Sequence, residues 1–143
     1  MYDAISENAA QADFIFMAAA VADYTPTECA DNKIKKKDGD MAIPLKRTQD
    51  ILGFLGAHRA PGQILCGFSM ETQNMLENSR AKLDKKHVDM ICANNLKVPG
   101  AGFGVDTNIA SFVTAQGVRE LPMMTKRELA DKILDEYVSG KNS

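Results

Sequence analysis

Apolar positions along the chain gather into three short continuous runs separated by amphipathic stretches. Asp13 to Ala20, Gln63 to Phe68 and Asp89 to Ala93 show little period-two alternation and are short for buried helices. Each predicts a strand buried on both faces, as in a parallel sheet covered by helices. Residues 2–11 read as the end of a helix. Thr48 is placed to cap a helix from about Gln49 to His58. Glu71 to His87 is the longest helical stretch, with Met75, Leu76, Ser79, Leu83 and Val88 marking its inner face. Thr125-Lys126-Arg127-Glu128 has the pattern of a capping box and opens a final helix.

Two hairpins complete the pattern. Lys33 to Lys37 and Met41 to Lys46 flank Asp38-Gly39-Asp40, an Asp-Gly turn signal. Ser111 to Ala115 and Glu120 to Met123 flank Gln116-Gly117. Between the first strand and the first hairpin, Val21 to Pro26 turns outward, and Pro26 blocks a regular continuation. Gly100 to Asn108 reads as a glycine-bearing loop. Strands alternating with helices predict a Rossmann-like three-layer α/β/α fold with a mostly parallel sheet, plus a lysine-rich hairpin or flap. No strand and glycine-rich turn precede the first helix, as an ordinary doubly wound domain would have. The expectation is a single domain over residues 1–143 whose N-terminal part is missing, trimmed or supplied by another chain.

Composition narrows the classes. At 45% apolar residues, the 143-residue chain can build a core of one domain, and global disorder is excluded. A formal net charge of -2 and nine aromatic residues without basic interleaving argue against a nucleic-acid coat. The apolar runs are far too short to span a bilayer, and no secretory signal opens the chain. Cys29, Cys66 and Cys92 are odd in number and form no CxxC pair, which suits reduced thiols in a cytoplasmic protein. Cys66 and Cys92 lie in apolar runs and read as small core residues. His58 and His87 have no metal-ligand spacing and read as surface residues.

Three groups of residues carry possible chemistry. Met17-Ala18-Ala19-Ala20-Val21-Ala22-Asp23 puts small residues at the end of a strand, followed by a carboxylate. Such residues either admit a planar or phosphorylated ligand to the backbone or simply allow close helix packing. Lys33-Ile34-Lys35-Lys36-Lys37 is either a solvated face, a guarded sheet edge or a phosphate clamp. Lys82 and Lys86, four apart, share a helix face. There they repel one another, unless a polyanion reverses the sign.

The order of these segments is more specific than any one of them. Ala-Ala-Val-Ala-Asp-Tyr, Lys-Ile-Lys-Lys, Thr-x-Asp-Ile-Leu, Gly-Phe-x-x-Glu-Thr, Lys-x-x-x-Lys-x-x-Asp and Ala-Asn follow one another from Ala19 to Asn94. In this the chain resembles the phosphopantothenoylcysteine synthetases. The likeness covers most of the chain and falls on the C-terminal half of the synthetase domain, which in many bacteria lies behind a flavin-dependent decarboxylase domain. It implies ligation of 4′-phosphopantothenate and cysteine with CTP and Mg2+ through an acyl-cytidylate, in a homodimer. FMN would belong only to the missing decarboxylase domain. It implies that Met17, Ala18, Ala19 and Asp23 contact the nucleotide, and that Lys33 is the catalytic cation. Gln49, Asp50, Ile51 and Leu52 would hold CTP at a helix start, Phe68 would pack on it, and Lys82 and Lys86 would contact it.

Ser69-Met70 departs from the family's usual small pair, and Asn95 stands where an acidic residue is commoner. The family's glycine-rich stretch and the asparagine that assists turnover have no counterpart here. The chain alone is therefore expected to be inactive in the complete synthesis. A nucleotide-binding or assembly module without turnover is the alternative.

Overall fold

The computed structural model describes residues 1–36, 38–71, 75–95 and 104–140, with the backbone alone at 71, 75, 139 and 140. The chain opens with helix α1 (Tyr2–Asn8) and a 3-10 turn (Ala9–Gln11), then strands β1 (Phe14–Met17), β2 (Tyr24–Pro26) and β3 (Leu45–Arg47). Helix α2 (Ile51–His58), β4 (Ile64–Glu71), α3 (Met75–Lys86) and β5 (Met90–Asn95) follow. The last part comprises β6 (Thr107–Asn108), β7 (Ala110–Thr114), β8 (Gly117–Glu120), β9 (Met124–Thr125) and α4 (Lys126–Gly140).

The main sheet has the order β1-β4-β5-β7-β8. β1, β4 and β5 pair in parallel, β7 reverses, and β8 returns. Four of the five strands therefore run one way, the mostly parallel sheet that the apolar runs predict. Alternation along the strands separates two cores. Leu65, Ile91, Ala93 and Val113 face α2 and α3, with α1 alongside. Cys66, Met90, Cys92 and Phe112 face α4, which supplies Leu129, Ile133 and Tyr137. Three layers result.

Local chemistry explains most element ends. Thr125 Oγ1 accepts from Glu128 N at 3.1 Å, and Glu128 Oε2 accepts from Thr125 N at 2.8 Å, closing the expected capping box. α3 ends in a Schellman arrangement: Val88 N donates to Leu83 O and His87 N to Asp84 O, with His87 at φ 51°. Gln63 is buried ahead of β4, and its Nε2 donates to Ala9 O and Ala12 O at 2.7 and 2.6 Å. That tie seats the end of the 3-10 turn against the sheet.

Several elements differ from the sequence reading. β1 is half-buried rather than buried on both faces, because it lies at the sheet edge with β4 as its partner. It also stops at Met17 rather than Ala20, since Val21 N donates to Ala19 O and turns the chain tightly out of the sheet. Asp50, not Thr48, caps α2: its Oδ1 accepts from Gly53 N at 3.0 Å. Gln49 accordingly lies before the helix. β4 runs on to Glu71 because β5 continues to pair with it as far as Asn95, so Glu71 belongs to the strand rather than to α3.

Within α3, Ser79 and Leu83 are buried but Leu76 stays exposed. β8 starts at Gly117 because Ala115-Gln116 alone forms the turn. The Asp-Gly hairpin pairs only at its base, β2 against β3, and residues 27–36 and 38–44 form neither helix nor strand. Lys37, Thr72 and residues 100–103 lie outside the described residues.

α2 approaches α3 unusually closely at one point. A Cβ added to Gly56 would lie 1.8 Å from the carbonyl oxygen of Lys86, a backbone atom with little freedom to yield. Alanine ordinarily stabilises a helix interior relative to glycine by about 0.5–1 kcal/mol. Here the sign reverses. Gly56→Ala should cost about 1–3 kcal/mol in denaturant unfolding, as overpacked sites do. Asp50→Ala should cost about 1 kcal/mol through loss of the cap, and Asp50→Asn much less, because asparagine caps as well. Burial drives the Cys66 and Cys92 thiols up to about 12, whereas Cys29 is exposed. A thiol reagent at about pH 8 should therefore label Cys29 alone in the native protein and all three cysteines after denaturation.

Candidate functional site

The end of β1, the middle of β4, the β2–β3 ladder, the start of α2 and the last turns of α3 enclose a cleft of about 470 Å³. That is the size of an ordinary small-ligand site. It lies beyond the C-terminal ends of parallel strands, where open α/β sheets bind ligands. Met17 closes β1, and the turn after it brings Ala19 and Val21 to the rim. Thr48 then ties this loop to the entry of α2: its N–H donates to Asp23 O at 2.9 Å and its Oγ1 to Ala22 O at 2.6 Å. Thr48 is thus a tether rather than a cap.

The floor depends on another glycine. A Cβ at Gly67 would meet Leu52 Cδ2 at 2.7 Å and Ile91 Cδ1 at 2.9 Å. Without one, Leu52 settles onto the strand and α2 lies low over the sheet. Phe68, the next residue of β4, is half-buried at the cleft. By helix geometry, the first N–H groups of α2 have no partner within the helix, and Ile51 and Leu52 carry two of them at the cleft wall.

The cleft is cationic although the chain is acidic. Arg47, Lys82, Lys85 and Lys86 line it against two carboxylates, Asp23 and Asp50. Lys86 Nζ donates to Asp50 Oδ2, while Asp50 Oδ1 remains on Gly53 N. Burial raises the Asp50 carboxyl, but the bonds from Lys86 and Gly53 and the charges of Lys86 and Lys85 outweigh it. Its pKa ends below the ordinary value. The carboxylate form of Asp50 is thereby favoured, and it holds Lys86 in place between α2 and α3.

The structure brings Met17, Ala19, Asp23, Gln49, Asp50, Ile51, Leu52, Phe68, Lys82 and Lys86 together around this cleft. Ala18 is exposed and does not line it. Lys33 does not line it either, lying in the irregular stretch beyond the β2–β3 ladder. Val21 and Tyr24, which stand in the segment from Met17 to Tyr24 but were given no contact, also line the cleft, and the sequence reading missed Arg47, Thr48 and Lys85. Lys85 was within reach of that reading: it stands three residues after Lys82, and that spacing shares a helix face as fully as four does. Arg47 carried no such signal, because its neighbour Tyr24 is brought to it only by strand pairing. Among the described residues, no three His, Cys, Asp or Glu side chains cluster as metal ligands. No helix among them is long and apolar enough to cross a membrane.

Residues 1–140 match the family described as DNA/pantothenate metabolism flavoprotein C-terminal domain. The chain is 47% identical over 128 residues to the coenzyme A biosynthesis bifunctional protein CoaBC of Bacillus subtilis, covering 89% of this chain and 31% of that protein. It is 40% identical over 140 residues to a cysteine/cysteine sulfinic acid decarboxylase of an unknown prokaryotic organism, covering 97% of this chain and 39% of that protein. Among solved structures, it is similar to the crystal structure of the C-terminal domain of a CoaBC protein, with TM-score 0.77 and 35% identity. That likeness covers 99% of this chain and 63% of the solved one. The chain thus spans well under half the length of these two curated relatives. It belongs to the family of DNA/pantothenate metabolism flavoprotein C-terminal domains.

Proposed function

We propose that this chain forms the nucleotide side of a phosphopantothenate–cysteine ligase that uses CTP. The observation that carries the reading is the convergence of four cations, a helix start and a strand end on one cleft. A triphosphate carries its charge in a compact group, and cations fixed around it stabilise the charge that moves during phosphoryl displacement. The name of the CoaBC relative points to the same pathway. The decarboxylase name belongs to a protein of which this chain covers 39%, and a cleft lined with lysines suits phosphates better than loss of carbon dioxide.

On this reading, the carboxylate of 4′-phosphopantothenate attacks the α-phosphate of CTP and pyrophosphate leaves. The amine of cysteine then attacks the acyl carbon of the acyl-cytidylate and displaces CMP. Positioning and charge stabilisation are the protein's work, and no protein thiol takes part. Met17, Ala19 and the start of α2, from Gln49 to Leu52, hold the nucleoside end, with Phe68 packed against it. Lys82, Lys85 and Lys86 face the phosphates. Mg2+ would enter with the triphosphate, since this ion is commonly held by one or two carboxylates plus substrate phosphates. Asp50 is engaged by Lys86 and Gly53, so Asp23 is the carboxylate that fits it. Lys33, between β2 and β3, acts as the catalytic cation. The reading includes a homodimer in the cytoplasm.

The test separates binding from chemistry in the full-length protein. Lys82→Gln should raise KM for CTP about 10-fold with kcat largely kept, as loss of a charge-assisted contact does. Lys33→Gln should lower kcat for acyl-cytidylate formation by about 100-fold or more with little change in CTP affinity. Tight CTP binding with no acyl-cytidylate in the parent protein would favour a nucleotide-binding module instead. Unchanged kinetics in both variants would remove the cleft from the mechanism.

A further inference from the structure

The lysine face of α3 lines the cleft, and the β2–β3 ladder adds a cation of a different kind. Arg47 closes β3 and is the register partner of Tyr24 in β2. Directly paired residues of an antiparallel ladder project to the same side. Both side chains line the cleft. The Arg47 guanidinium lies over the Tyr24 ring at 5.9 Å from its centroid. Lys46, the preceding residue, projects from the other face by alternation and does not line the cleft.

The Arg47 side chain is exposed, but the backbone that carries it is tied at both ends of the ladder. Thr48 N donates to Asp23 O on one side of the pair, and Thr27 N to Pro44 O at the far end of the ladder. Backbone bonds thus run from Asp23 to Thr27 against Pro44 to Thr48. Among the described residues, no carboxylate lies within ion-pair distance of Arg47, whereas Lys86 is paired with Asp50. The ring face orients the guanidinium without neutralising it. A planar fork of donors, held in place and uncompensated beside a cationic cleft, matches phosphate oxygens better than a lysine does.

We propose that Arg47 is a further phosphate-binding residue of the cleft, on a different element from the α3 lysines, and that Tyr24 is its positioning residue. This rests on the reading of the cleft as a nucleoside triphosphate site. CTP binding with Mg2+ is measured by calorimetry on the full-length protein, with Tm recorded for every variant. Arg47→Gln should weaken binding about 10-fold or more. Arg47→Lys should restore only part, because lysine lacks the fork. Tyr24→Phe should bind as the parent does, and Tyr24→Leu about 3-fold more weakly, since the ring face and not the hydroxyl does the orienting.

Lys46→Gln is the control for net charge and should bind within about twofold of the parent. Equal weakening by Arg47→Gln and Lys46→Gln would overturn the proposal in favour of a general charge effect. So would parent-like binding by Arg47→Gln while Lys82→Gln is weakened, and that result would leave the nucleotide reading standing. If the parent binds no CTP, the nucleotide reading fails, and this proposal with it. If Arg47→Gln does not fold, Arg47→Lys decides: full affinity in a folded protein overturns the role.

Discussion

The cleft exists because α2 can lie against the last turn of α3, at a contact with no room for one methyl group. Gly56 meets the carbonyl oxygen of Lys86 there. Interiors are packed tightly enough that a contact of this kind fixes position rather than merely favouring it. Two consequences follow along the chain. Six residues earlier, Asp50 is carried to the Lys86 side chain, so one residue of α3 is gripped through both its backbone and its ammonium group. At the other side of α2, Gly67 admits Leu52 to the strand surface. Three glycines or caps therefore set the height, the tilt and the end of a single short helix, and the cleft is the space that its start leaves over the sheet.

Much of this was legible in the sequence, and the rest was not for definable reasons. The apolar runs marked the central strands because β4 and β5 are covered on both faces, which removes alternation. The same signal misled at β1, where Phe14 to Met17 looks alike in sequence but lies at an edge. Sequence alone does not say how many neighbours a strand has. Thr48 and Asp50 are both good capping residues, and their competition was settled by tertiary contacts: Thr48 is drawn to Ala22 and Asp23 across the cleft entrance. The capping box at Thr125 involved no such rival and formed as read.

The site divides along the same line. Residues adjacent on one element were legible, such as the start of α2 and the lysines of α3. Residues joined by pairing across some twenty positions were not. Tyr24 and Arg47 meet through a ladder whose turn signal, Asp38-Gly39, lies far from the strands that pair. The arm read at Lys33 to Lys37 forms no strand over its described residues, and Leu45–Arg47 pairs with Tyr24–Pro26 instead. A turn signal specifies that the chain reverses, and the length of the ladder depends on what the arms can bury. Ile34, Met41 and Ile43 are all exposed, so these apolar residues gain no burial that would reward further pairing.

This division has a consequence for the proposed chemistry. The walls that would hold a nucleotide are built from sheet, helix and a short tethered ladder, and each is fixed by backbone bonds or by a close glycine contact. Lys33 stands on a stretch with no regular structure. Preorganised charge stabilises a transition state without reorganisation cost, so binding groups gain from rigidity. A cation that must not bury itself among the other lysines before substrate arrives gains from the opposite. Four cations already share the cleft against two carboxylates, one of which is occupied by Lys86. A fifth cation would add to their mutual repulsion, which a polyanionic ligand offsets.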